Sequence, residues 1–527
     1  MCGFLFTSEE KMGREKFKES YDNIYHRGPD NQTIDEGNGF WGFHRLSIMD
    51  LSSNGNQPFS HNGKKLICNG EVYNFLHLKE LLKGSYEFKS ESDCEVLIPL
   101  YEKFGFEIMV KMLDAEFVLV MYDEQTGKIM AARDPIGIRP MFYGYDKITG
   151  GICFSSEAKG LTGLCTEVSP FPPGHYYMDG KFHFYNDIAD PKVIIDEDIV
   201  TITGKIREKL EKGIVKRLHS DAPMGFLLSG GLDSSLVCAV AQKHLGKRIK
   251  TFAIGMETDP IDLKYAKEVA EFLGTEHTEV IMTKEDVLES LKKVIWHLET
   301  WDITTIRASI GMYLVCKYIH ENTDLKVLMT GEVSDEIFGY KYTDFAPTPE
   351  EFQKEAQKRI RELYMYDVLR ADRVIAANSL EARVPFGDLD FVDYVMSINP
   401  EKKMNKYGKG KYLLRKAFEG LNYLPDSILY REKAAFSDAV GHSMVDYLKE
   451  YAENKYTDKD LEKAGEKYPY STPFTKESLL YREIFEKFYP GYAHWIKDFW
   501  MPNRLWEGCN VNDPSARVLK NYGDSGN

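Results

Sequence analysis

The chain has 527 residues, 43% of them hydrophobic and 28% charged, and carries a formal charge of −15 at pH 7. That length exceeds one ordinary hydrophobic core, so two or three domains are expected, with the composition of a soluble globular protein. The acidic balance argues against a surface built for nucleic acid or anionic lipid, while leaving room for a local site that binds a small anion.

In chain order, roughly the first 190 residues read mostly as β-structure. Short apolar runs at 40–49, 65–74, 117–134, 151–157 and 174–185 are separated by turns such as Gln125-Thr126-Gly127 and Met178-Asp179-Gly180, which suit hairpins. A helix is predicted over 91–105, capped by Ser92 or Asp93. Antiparallel sheets with few helices imply an α+β layered domain. The polar stretch 187–199 reads as a linker. Beyond it strands and helices alternate: helix 200–218, strand 223–230, helix 232–245, strand 250–256, helix 262–274, strand 277–282, long helices over 284–322, strand 325–332. Such alternation predicts a parallel sheet covered on both faces, hence an α/β second domain over 200–507. Residues 350–450 read as dominantly helical, and the tail 508–527 lacks a core pattern and is predicted to be mobile.

Eight cysteines are scattered along the chain with no C-x-x-C pair and no zinc-ligand spacing, which points to a reducing compartment. No signal-peptide pattern and no membrane-length apolar run is present, so the cytoplasm is the expected location.

Two segments carry chemistry. The first is Ser229-Gly230-Gly231-Leu232-Asp233-Ser234-Ser235, placed between an apolar strand and a helix. Paired glycines let the backbone approach an anion, and the hydroxyls and free amides at a helix start face it. A carboxylate at Asp233 suits a phosphate pocket when Mg²⁺ mediates. The bland alternative is a Ser/Gly turn that merely caps a helix. No G-x-x-x-x-G-K-[ST] or G-x-G-x-x-G pattern occurs. The second segment is Met1-Cys2-Gly3. Once Met1 is removed, the Cys2 thiol (pKa ~8.5) lies beside its own α-amine (pKa ~7.7–8.0), a built-in base. The bland alternative is a small apolar Cys at a strand start.

The strand–loop–helix with Ser229–Ser235 resembles the pyrophosphate loop of adenylating synthetases. Cys2, followed in order by His26-Arg27-Gly28-Pro29-Asp30, His44-Arg45-Leu46-Ser47-Ile48, Asn69-Gly70-Glu71-Val72-Tyr73-Asn74 and Ser92-Asp93, looks like the class II glutamine amidotransferases. Joined in this order, and with Thr304–Ser309, Thr330–Glu336, Glu381–Phe386 and Arg431-Glu432-Lys433, the whole resembles the glutamine-hydrolysing asparagine synthetase family. The resemblance implies an αββα N-terminal-nucleophile domain over 1–190 and an adenine-nucleotide α-hydrolase-like domain with added helices.

It further implies that Cys2 attacks the glutamine amide, with Asn69 and Gly70 as oxyanion donors. Arg45, Leu46, Ser47, Ile48, Met49, Glu71 and Asp93 would bind glutamine, Arg45 clamping its α-carboxylate and Asp93 with Glu71 holding its ammonium. ATP would be bound by Ser229–Ser235 with Leu228, Ile254, Thr330 and Gly331, and Mg²⁺ by Asp233 and Asp335. Glu332 would assist formation or aminolysis of β-aspartyl-AMP, and Lys433 would neutralise phosphate charge. Thr305 and Arg307 are candidates for aspartate or phosphate, Arg307 being equally readable as a helix-surface charge.

The expected partners are glutamine, aspartate and ATP, with neither nucleic acid nor membrane, and a homodimer is an allowed assembly. Released ammonia would need an apolar passage between the domains. Two features depart from a plain reading. Val333 replaces the family's glycine, so its position is either extended or differently shaped, since a β-branched residue resists positive φ. The lysine-rich run 402–416 reads first as a solvated loop and helix face, with a phosphate contact as the second reading. The alternatives to the family's reaction are a same-architecture synthetase for another carboxylate, an amidotransferase using another donor, and a non-catalytic nucleotide or glutamine sensor.

Overall fold

The computed structural model describes residues 1–9, 12–432 and 440–522. Lys433 lies outside the described residues. In the amino-terminal half, two six-stranded antiparallel sheets face each other. Strand Gly3–Thr7 pairs with Phe40–Arg45 on one side and Ile152–Ser155 on the other. In the second sheet, Lys64–Val72 and Ala115–Asp123 form the longest pairing, with Asn69 opposite Val118 and Gly70 opposite Phe117. Alternating large residues of both sheets (Phe4, Phe6, Trp41, Phe43, Ile67, Val118, Val120) close into one sandwich core. The other face of the second sheet (Leu66, Cys68, Leu119, Met121) is covered by the helices Phe75–Leu81, Leu97–Phe104 and Phe106–Met112. Helix Arg14–Asp22 packs Phe17 and Tyr21 against the first sheet. The αββα layering is therefore as the resemblance implied.

The predicted helix over 91–105 splits into a 3₁₀ turn, Asp93–Val96, and helix Leu97–Phe104. Ser92 is its cap, accepting from Cys94 N, which leaves the Asp93 carboxylate free for another duty.

The carboxy-terminal half has a five-stranded parallel sheet in the order Glu276–Met282, Lys250–Met256, Met224–Leu227, Val327–Met329, Glu381–Arg383. The last strand falls within the stretch read as helical. Its three residues Glu-Ala-Arg carry no apolar alternation, and they are buried only because the amino-terminal domain covers them. Helix Leu232–Leu245 matches its predicted bounds, and Ile261–Leu273 ends on Gly274 in the left-handed conformation.

The tail corrects a second expectation. Cys509 and Leu519 are buried in a cluster with Tyr342, Phe352 and Trp506, and Asn521 Nδ2 donates to Lys341 O at 2.7 Å. Residues 508–522 are thus packed chain; their few apolar groups follow no helix or strand period, so the pattern gave no core signal.

The two halves share an apolar contact, Phe142 against Trp495 with ring centroids 5.8 Å apart. Beside it runs a layer of buried ion pairs. Arg27 Nη1 meets Glu157 at 2.7 Å and Asp372 at 2.8 Å, and Arg217 Nε meets Glu116 at 2.8 Å. Arg139 Nη2 meets Glu116 at 3.0 Å, and Arg383 Nη2 meets Glu71 at 2.8 Å. All of these side chains are buried. Removing one partner of such a pair typically costs about 3–5 kcal/mol, because the other charge is stranded.

Candidate active sites

Cys2 precedes the strand Gly3–Thr7 and packs against both the sandwich core and the helix-covered core. Its carbonyl accepts from Arg27 Nε at 2.9 Å and its thiol donates to Leu46 O at 3.5 Å. Burial pushes the thiol up to about 11, so it is protonated at neutral pH while Met1 is attached. Met1 is fully buried, its ammonium donating to Leu380 O at 3.1 Å, and burial pulls that amine down to about 5. With Met1 in place the Cys2 nitrogen is a peptide and offers no base.

Asn69 is 1% exposed and its side-chain Nδ2 has no partner. A buried amide donor left unsatisfied costs ~1–3 kcal/mol unless a ligand accepts from it. Such a donor on a strand of this site suits an oxyanion. Gly70 is required sterically: a Cβ there would lie 2.4 Å from Glu116 O and 2.7 Å from Phe117 Cα. Leu46, Ile48 and Met49 join the helix-covered core, and Ser47 N donates to Asp30 Oδ2 at 2.8 Å.

Arg45 donates from Nη1 to Ser52 O at 2.6 Å and to Asn56 Oδ1 at 2.7 Å, and from Nη2 to Met49 O and Asp50 O. Its four terminal N–H groups hold the 46–56 loop. Glu71 Oε2 pairs with Arg383 Nη2 of the other domain at 2.8 Å. Asp93 accepts from Val72 N at 2.6 Å, and burial raises its carboxyl to about 6.

The second site is a cavity of about 210 Å³ at the carboxyl ends of the parallel strands. It is lined by Leu228, Ser229, Gly231, Asp233, Ser234, Ile254, Thr330, Gly331, Glu332 and Asp335, all named by the sequence. Gly230 takes φ +70°, and a Cβ on it would meet Ala266 N at 2.4 Å. Hydroxyls close the loop: Ser234 Oγ accepts from Ser229 N at 3.2 Å and lies 3.0 Å from Ser229 Oγ. Helix Leu232–Leu245 has Gly231 as its cap with no side-chain cap bond, so its first amides are left for an anion. Leu232 instead enters the core, and Ser235 is buried within the helix; neither lines the cavity.

Asp302 caps helix Ile303–Asn322 by accepting from Thr305 N at 2.8 Å, and the Thr305 hydroxyl also donates to Asp302 Oδ2; Thr304 lines the cavity with a buried Oγ1 that has no partner among the described residues. Arg307 lines the cavity and is no surface charge, being 2% exposed.

Val333 takes φ +81° and ψ −22°, neither extended nor relaxed, and caps helix Ser334–Phe338. The loop keeps the left-handed turn despite the β-branched side chain, at a cost of about 1–3 kcal/mol, held by burial of the valine.

Sequence reading missed Arg370 and Glu336 on the cavity wall, and Lys411 behind its two aspartates. Arg370 Nη1 meets Glu332 at 3.1 Å and its Nη2 meets Asp367 at 2.9 Å. Glu336, raised by burial and by Asp367, lines the same wall. Lys411, from the lysine-rich run, is 5% exposed; its ammonium meets Asp233 at 2.8 Å, Asp335 at 2.5 Å and Ser334 Oγ at 2.9 Å. The solvated reading of that run fails at Lys411 and also at Lys403 and Arg415, which are 5% and 3% exposed.

An N-terminal-nucleophile amidohydrolase joined to a parallel-sheet nucleotide domain defines a glutamine amidotransferase synthetase. The glutamine amidotransferase domain model matches residues 1–181, and the asparagine synthase model matches 205–349 and 343–510. Asparagine synthetase (glutamine-hydrolyzing) of Gallus gallus is 43% identical, covering 99% of this chain and 99% of its own. The Homo sapiens protein of the same name is 41% identical with the same coverage. This chain belongs to the asparagine synthetase family. Among the described residues, no helix is long and apolar enough to cross a membrane.

Proposed function

We propose that the chain makes asparagine from aspartate, glutamine and ATP. The observation that carries this is whole-chain family membership, over both the amidotransferase and the synthase domains. At the first site the processed Cys2 amine takes the thiol proton and sulfur attacks the glutamine amide. The orphaned Asn69 amide donates to the developing oxyanion, ammonia leaves, and water cleaves the thioester to glutamate. At the second, an aspartate β-carboxylate oxygen attacks the α-phosphorus and pyrophosphate departs along the glycine loop. Ammonia then attacks the acyl carbon and AMP leaves.

Asp233 and Asp335 are two hard oxygen donors beside the loop, the set Mg²⁺ uses together with phosphate oxygens. They would hold that ion, which would offset phosphate charge; Lys411 balances the two carboxylates. Arg307 and Thr304 are the proposed contacts for aspartate, and Lys433 for phosphate. Eight free cysteines support a cytoplasmic setting. Homodimer assembly is part of the proposal and is read by sedimentation equilibrium.

The decisive assay supplies aspartate, glutamine and Mg·ATP and follows AMP and asparagine. Release of ADP, or AMP formation only with a different acid, overturns the proposal.

A further inference from the structure

Arg307 lies on helix Ile303–Asn322 and is gripped by two carboxylates. Its Nε donates to Glu477 Oε1 at 2.8 Å, and Nη2 bonds the other Glu477 oxygen. Its Nη1 and Nη2 donate to Asp513 Oδ1 and Oδ2 at 2.9 and 3.2 Å. Four of five N–H groups are thereby fixed, and one Nη1 hydrogen remains for a ligand. Glu477 and Asp513 line a separate cleft with Lys449, whose ammonium meets Asp513 at 2.7 Å, whereas Arg307 lines the nucleotide cavity. The guanidinium is therefore the partition between the two spaces, held from the side away from the nucleotide.

Asp513 has a second duty. Its Oδ1 accepts from Ser515 N at 2.8 Å, and Ser515 caps the turn Ala516–Val518. Pro514, Ser515 and Ala516 form part of the cavity wall. One carboxylate thus fixes both the guanidinium and the wall next to it. The matched synthase domain ends at residue 510, so this segment lies beyond it.

We propose that Asp513 is a positioning residue through which the carboxy-terminal segment completes the acceptor-acid end of the synthetase cavity. It pre-orients Arg307 and sets the turn 514–516 against which a short dicarboxylic amino acid fits. The cluster Arg307, Glu477, Asp513 and Lys449 is formally neutral, so the incoming acid is recognised by an aimed N–H and a fixed wall, not by surplus positive charge. An arginine already locked in its fork loses little side-chain entropy when the acid binds. The inference rests on the reading that Arg307 meets aspartate.

The test is steady-state kinetics of the full-length enzyme. Asp513→Ala is expected to raise KM for aspartate about 10- to 100-fold, the loss of a charge-assisted contact. KM for ATP and glutaminase kcat/KM should stay within about twofold, since neither contacts this end. Asp513→Asn keeps an acceptor for Ser515 N but not the charge, and should fall between the two. Arg307→Lys is the control. If it raises aspartate KM while Asp513→Ala does not, the positioning role is wrong and the Arg307 reading stands. If Arg307→Lys leaves aspartate KM unchanged, that reading falls and takes the proposal with it. A uniform loss of glutaminase, ATP affinity and thermal stability in Asp513→Ala would make the segment merely structural and overturn the proposal.

Discussion

Near Cys2 a side-chain amide stands unpartnered at Asn69, whereas around the glycine loop Asp233, Asp335 and Glu332 each already hold a cation. The first site carries its unsatisfied donor as a standing cost, relieved when negative charge develops on substrate. The second holds these carboxylates in ion pairs, and in the proposed reaction Mg·ATP would exchange partners with Lys411. Preorganisation serves a reaction with one small oxyanion; exchange serves one that handles several phosphate charges in sequence.

The largest effect that would break this comparison is Cys2→Ala. Glutamine-dependent synthesis should fall by at least about 10³-fold while ammonia-dependent synthesis persists, measured by asparagine release. Survival of the glutamine-dependent rate would remove the first site altogether. Lys411→Met comes next, with synthetase kcat falling about 10²-fold with either nitrogen source, the scale of one lost electrostatic contact, and glutaminase retained. A change in KM for ATP alone would show that Lys411 contributes only to binding.

Asn69→Ala sharpens the contrast, because activity and stability should move apart. Glutaminase kcat is expected to drop about 10²-fold, while unfolding stability holds or rises by about 1 kcal/mol as the orphaned donor is removed. Loss of both would mean that Asn69 is bonded in the resting enzyme. The smallest effect is in pH. Asp93, raised to about 6, is neutral below that pH and cannot hold an ammonium. Glutaminase kcat/KM should therefore fall about tenfold per unit on the acid side of 6. That limb should be absent from the ammonia-dependent profile, and a shared limb would assign the titration elsewhere.

Much of both sites was legible because their parts are contiguous. Ser229–Ser235 lies between a strand and a helix, so glycines, hydroxyls and amides converge through local geometry alone. Lys411 was hidden for the opposite reason. It reaches Asp233 across 178 residues, and five other lysines in 402–416 look alike in sequence. Val333 misled because propensity describes an isolated residue, while the surrounding packing dictates its φ. Asp513 lay in a segment whose burial follows no period, and strand Glu381–Arg383 is charged because its neighbours across the seam are charged.

That seam has a mechanical consequence. Each guanidinium along it fits carboxylates at particular positions, so it works as a set of keys, and sliding or rotating one half would unlock several at once. The molecule is built to hold its two workshops at a fixed bearing, and whatever opens between them during turnover is the work of individual side chains moving inside a stationary frame.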